Sequence, residues 1–207
     1  MATYTADNLH LQSNDKGKAG AFAGFDAKKA GWDTMNFAAV RLSKGKTFEI
    51  AIDAFEYVAV ILSGQCNIKT NNGDFNEVGR RDNVFSGMPY AVYLPRNTEF
   101  EIEALTDNFE VASCWVPTEK DGTAKLITPQ DIEIKFLGGN NASRQMCRII
   151  GSDFPADRLM VYELYTPGGN WSSYPPHKHD THKTDEKGTV LEAQLNRFSF
   201  FKFDRPT

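Results

Sequence analysis

The residues best suited to chemistry lie in one run, 171-WSSYPPHKHDTHKTDE-186, which holds His177, His179 and His182, three of the four histidines in the chain. In an extended segment, side chains two residues apart leave the same face, so His177 and His179 can reach one ion while Lys178 points away. Neutral imidazoles suit Zn, Mn, Fe or Ni, and a carboxylate plus another histidine would complete a four-residue shell. Pro175 and Pro176 stiffen the approach and disfavour helix. His182 falls off the alternating face and reads as a loop histidine; His10, in a polar N-terminal stretch, reads as surface. On the residues alone two readings stay open, a metal-binding edge and a solvated polar loop, since HxH is a short pattern and HKHDTHKTDE is hydrophilic throughout.

Such a pair needs strands to hold it, and most of the chain has the two-residue rhythm of half-buried strands. In 98-TEFEIEALTDNFEVASCWV-116, Phe100, Ile102 and Ala104 share one face, Glu99, Glu101 and Glu103 the other, and Phe109, Val111 and Trp115 repeat the parity after Thr106-Asp107-Asn108. The pattern predicts a hairpin. Further strands are expected at 47–52, 56–62, 66–70, 90–94, 132–136, 146–150, 159–165 and 198–203, separated by Gly, Pro, Asn and Asp clusters. No long stretch carries helical periodicity, so the expected class is all-β, a sandwich or barrel.

Two halves are expected, residues 1–135 and 136–207, joined through the polar connector 117-PTEKDGTAKLITPQD-131. The second half shows about five strands, too few to close a barrel without exposed edges, so the second barrel is expected to be incomplete. The run 198-FSFFKF-203 places aromatics on both faces and is expected to be covered on both sides.

The composition, with 41% hydrophobic and 24% charged residues, is that of an ordinary globular chain. A net charge of −4 offers no general attraction to nucleic acid or anionic membrane, no segment approaches the length of an apolar membrane span, and the N-terminus lacks a signal-peptide core. Cys66, Cys114 and Cys147 are odd in number and widely spaced, which reads as reduced core thiols in a cytosolic protein.

The run 168-GGNWSSYPPHKHD-180 resembles the signature of the 5-deoxy-glucuronate isomerase family of bacterial inositol catabolism, a set of two-domain cupins. Matches at 61-ILSG-64, 79-GRRDNVFSGMPYAVYLP-95, 138-GGNNASRQ-145, 163-ELYTPGGNWSS-173 and 203-FDRP-206 extend the resemblance over most of the chain. It implies a bicupin whose second barrel carries a divalent metal (Zn, Mn or Fe) and whose first barrel is mainly structural. It also implies aldose–ketose isomerisation of 5-deoxy-D-glucuronate to 2-deoxy-5-keto-D-gluconate, a sugar-acid substrate, and metal ligation by His177 and His179. Consistent with a structural first barrel, no histidine lies between residues 11 and 176, which excludes a histidine-based metal site there. Arg80-Arg81 reads as a structural clamp between barrel loops rather than an anion site.

The family's shell includes a glutamate at the start of the strand after the HxH loop and a later histidine. Aligning back from 203-FDRP-206 puts Asn196 and Arg197 where the family carries Glu-Glu, and neither an amide nor a guanidinium suits such a metal. Glu192, four residues upstream, could serve if the loop re-registers; Asp185 and Glu186 are weaker candidates. For substrate contacts the candidates are Lys178, Arg144 and Tyr174, each with a plainer structural role available: solvated partner of Asp180, ion-pair partner and packing residue respectively. Self-association is left open. Two competing functions remain on these residues, a non-catalytic cupin scaffold and another metal-dependent cupin enzyme such as a dioxygenase using two His and one carboxylate on iron.

Overall fold

The structure is a computed structural model that describes residues 10–11, 13, 17–177 and 179–204. Strands are numbered along the chain. A six-stranded antiparallel sheet runs in the order β1 (Gly20–Phe25), β2 (Asn36–Leu42), β9 (Phe109–Pro117), β4 (Phe55–Ser63), β7 (Tyr90–Leu94) and β10 (Lys125–Ile127). A four-stranded sheet runs β3 (Thr47–Ile52), β8 (Thr98–Ala104), β5 (Cys66–Thr70) and β6 (Phe75–Val78). The only α-helix among the described residues is the single turn α1 (Ala27–Ala30), so the all-β expectation holds.

The core lies between these sheets, and side-chain parity puts it there. Tyr57, Ala59 and Ile61 of β4 meet Cys66 and Ile68 of β5 and Phe100, Ile102 and Ala104 of β8. The Tyr57 and Phe100 rings lie 4.8 Å apart, and the Tyr57 hydroxyl donates to Ser113 Oγ. Burying each of these large apolar side chains stabilises the fold by about 1.5–3 kcal/mol. This is the two-sheet barrel that the family resemblance implies.

One expectation is overturned. The strands 98–104 and 109–117 do not form a hairpin: β8 pairs with β3 and β5, while β9 pairs with β2 and β4. Their shared parity arises because both face one core from opposite sheets, and the turn between them crosses from one sheet to the other. The polar connector 117–131 contributes a strand of its own, Lys125–Ile127, which pairs with β7.

Burial at Glu56 explains which residues join this barrel. Its side chain is 0% exposed. Oε1 accepts from the backbone N–H groups of Arg158 (2.7 Å) and Leu159 (2.8 Å), and Oε2 from that of Asp157 (2.9 Å) and from the Tyr93 hydroxyl (2.8 Å). One carboxylate thus ties the turn 157–159 to β4 and β7. The Arg81 guanidinium, also buried, pairs with both oxygens of Glu163 (2.8 and 3.0 Å) and donates to the Ile61 carbonyl (3.1 Å). Arg81 therefore clamps as expected, while Arg80 is exposed.

The chain divides into two compact units, one reaching to Glu133 and including Cys147–Glu163, the other formed by Ile134–Met146 and the residues from Leu164 on. The stretch 147–163 groups with the first unit, where Glu56 holds its residues 157–159 and Arg81 its Glu163. The remaining strands are β11 (Glu133–Leu137), β12 (Arg144–Ile150) and β13 (Val161–Tyr165), which form one sheet, and the hairpin β14 (Lys183–Thr184) and β15 (Val190–Glu192). No strand forms at 198–203. Alternation survives there, with Phe198 and Phe200 half-buried, but Phe201 and Phe203 are 62% and 70% exposed, so the expected cover on both faces is not present.

All three cysteines are free thiols. Burial pushes Cys66 and Cys114 up to about 12, with the Glu56 charge adding to the rise at Cys114. Thiolate is the reactive species, so at pH 8 the native protein is expected to leave both unlabelled by iodoacetamide and to react only in denaturant. Rapid native labelling of either, read by peptide mass spectrometry, contradicts this burial.

Candidate metal centre

The loop that carries the histidines is fastened within its own unit. Trp171 N–H donates to the Asn141 carbonyl (2.7 Å) and Ser143 N–H to Asn170 Oδ1 (3.2 Å). The chain then passes through a cis Tyr174–Pro175 bond to His177. The imidazoles of His177 and His179 come together with ring centroids 5.1 Å apart and planes at 86°. His177 Nδ1 lies 3.0 Å from the Pro175 carbonyl and His179 Nδ1 3.2 Å from the Ala193 carbonyl. A carbonyl only accepts, so each Nδ1 carries a hydrogen and, in the neutral ring, each Nε2 keeps the lone pair, the arrangement in which imidazole ligates. Leu195 N–H also donates to the His179 carbonyl (3.0 Å), holding residues 193–195 alongside the second histidine.

The other candidate ligands are engaged elsewhere. Glu192 ends β15, where its carboxylate accepts from Lys183 Nζ (2.8 Å) and from the Thr181 hydroxyl. Asp185 Oδ1 accepts the backbone N–H groups of Lys187 (2.9 Å) and Thr189 (2.8 Å), closing the β14–β15 turn, and the Thr189 N–H is the main cause that holds its carboxyl below the usual range. Glu186 sits in that turn, and His182 and His10 are exposed. Among the described residues no group of three His, Cys, Asp or Glu is placed to hold a metal ion. Tested on donor chemistry, the imidazole pair fits a borderline divalent ion as two ligands, and a carboxylate does not stand with it.

Of the substrate-contact candidates, Tyr174 is exposed with its ring 6.2 Å from that of Trp171, itself exposed, so the two make an aromatic surface at the entry to the loop. Arg144 is half-buried and donates from Nη1 to the Ala142 carbonyl (2.9 Å). Lys178 lies outside the described residues. Arg197, which the family alignment sets at a ligand position, stands with Nη1 3.2 Å from His177 Nε2, a contact that residue spacing alone did not signal. A contact across twenty residues through an irregular segment leaves no periodic signal.

Two antiparallel sheets closed on one apolar core define a cupin-like barrel. The chain belongs to the KduI/IolB family, whose profile matches residues 9–207. It is 35% identical to the 5-deoxy-glucuronate isomerase of Geobacillus thermodenitrificans over 91% of its own length and 69% of that protein's. With the 5-deoxy-glucuronate isomerase of Geobacillus kaustophilus it shares 38% identity, over 92% and 69%. The crystal structure of an IolB-like protein from Salmonella typhimurium LT2 superimposes with a TM-score of 0.79 at 30% identity, covering 86% of this chain and 67% of that one. Among the described residues no helix is long and apolar enough to cross a membrane.

Proposed function

We propose that the protein is a 5-deoxy-glucuronate isomerase, converting 5-deoxy-D-glucuronate to 2-deoxy-5-keto-D-gluconate in the cytosol as a step of inositol catabolism. The observation that carries this reading is the imidazole pair: in a chain 38% identical to an isomerase of that name, both Nδ1 atoms are tied to backbone carbonyls, which makes the two Nε2 atoms the ligating ones, that of His177 in contact with Arg197. His177 and His179 hold a divalent ion (Zn, Mn or Fe), and Glu192 joins them only by giving up Lys183 and Thr181. When bound, the ion supplies polarisation of the substrate carbonyl and charge stabilisation as a proton moves between adjacent carbons. The chain's own residues do the positioning. Pro175 and Ala193 hold the imidazoles in their ligating tautomer, and the Trp171–Tyr174 surface offers apolar faces to a sugar ring. Lys178 and Arg144 are the proposed partners of the substrate carboxylate.

The test is turnover of 5-deoxy-glucuronate by the folded protein with added Mn, Zn or Fe. Activity is expected only with metal, and His177→Ala or His179→Ala is expected to lower it by more than the about 10- to 100-fold that losing a hydrogen-bond partner of a metal ligand costs. A folded sample that turns over nothing with any of these metals rejects catalysis. The engagement of Glu192 by Lys183 favours, as second reading, a cupin scaffold without catalysis, which the same assay separates.

A further inference from the structure

We propose that Arg197 is a built-in competitor for the metal, capping the Nε2 lone pair of His177 so that a divalent cation binds the histidine pair only after the guanidinium has left. The inference rests on the metal reading of His177 and His179.

Two contacts on one ring carry it. The Pro175 carbonyl, 3.0 Å from Nδ1, accepts only, so the ring hydrogen is on Nδ1. A guanidinium donates only, and Arg197 Nη1 lies 3.2 Å from Nε2, so that nitrogen presents its lone pair to Arg197. The two contacts together select one neutral tautomer, the one that ligates. The lone pair a metal takes is therefore the one the guanidinium occupies. Competition is both steric and electrostatic, because a dication at a ligating distance from Nε2 would stand against a permanent positive charge. The carboxylate that the sequence offers as third ligand, Glu192, is itself paired with Lys183. His179, with its own Nδ1 on the Ala193 carbonyl, keeps the ligating tautomer without needing Arg197.

Arg197 is exposed, so its replacement leaves the barrel core untouched. Zn(II) titrated calorimetrically into the full chain is expected to bind Arg197→Met about 3- to 10-fold more tightly than the parent, the effect of losing one exposed charge-assisted hydrogen bond and one like-charge approach. The gain should vanish in Arg197→Met/His177→Ala. In nitrogen-15 spectra without metal, His177 Nε2 should move on Arg197→Met toward the shift of an unbonded imidazole nitrogen. Histidine-dependent Zn(II) binding of equal strength in both proteins, or an unmoved Nε2 resonance, overturns the cap and leaves the metal reading standing. Zn(II) binding no stronger than that of His177→Ala/His179→Ala, in parent and Arg197→Met alike, overturns both.

Discussion

Glu56→Ala is expected to lower the stability of the first unit by about 3–5 kcal/mol, the upper end of single-substitution effects. The reason is the number of donors that converge on one buried carboxylate. Three backbone N–H groups and the Tyr93 hydroxyl would be left facing a methyl group. Burial first, and the Glu56 hydrogen bond and charge after it, raise the Tyr93 phenol well above its usual range, so Tyr93 stays a neutral donor at all ordinary pH. The loss should appear as a shift in the denaturant midpoint and as faster amide exchange at Asp157, Arg158 and Leu159. Glu56→Gln is a sharper control, since its amide turns a donor toward donors and should recover little. A midpoint loss equivalent to less than about 1 kcal/mol would show that the turn 157–159 is held by other means.

Arg81→Met is the second large effect. The guanidinium is 2% exposed and its partner Glu163 17%, so removing the arginine leaves a carboxylate with little water to take its place. Breaking a buried pair from one side costs about 3–5 kcal/mol, whereas replacing both partners by apolar residues is often close to neutral. Arg81→Met/Glu163→Leu should therefore recover most of what either single substitution loses. A double-mutant cycle read by chemical denaturation is expected to give a coupling above about 1 kcal/mol. Strict additivity would mean that Arg81 acts through its bonds to the Ile61 and Gly87 carbonyls alone.

Local pattern carried the strands where one face is polar. Thr47–Ile52 and Cys66–Thr70 stand where alternation puts them, and Tyr90–Leu94, which has no exposed face, where its flanking turn residues put it. Pattern was silent at β2, whose Asn36–Leu42 is flanked by strands on both edges and has no clean polar face, and at the short β6 and β10. It misjudged the partner of β8 because parity reports which side of a strand is buried and not which sheet does the burying. At the site, the histidine pair was legible from spacing, since two residues along an extended chain always share a face. Glu192's engagement with Lys183 was not, because the β14–β15 register that opposes them has a bulge between Lys183 and Thr184.

By itself, the sequence determined that this chain is all-β, that paired imidazoles leave one face of the loop after Pro176, and that it belongs with the isomerase family. The first two reside in residue type and near-neighbour spacing, the third in a resemblance of motifs that the family profile bears out. Tertiary structure alone decided that Glu56 and Arg81 hold residues 157–159 and 163 in the first unit, that β8 and β9 part into different sheets, and that the Arg197 guanidinium rests on His177 Nε2. Each of these depends on groups 20 to 103 residues apart meeting in space, and nothing in a local pattern encodes that closure.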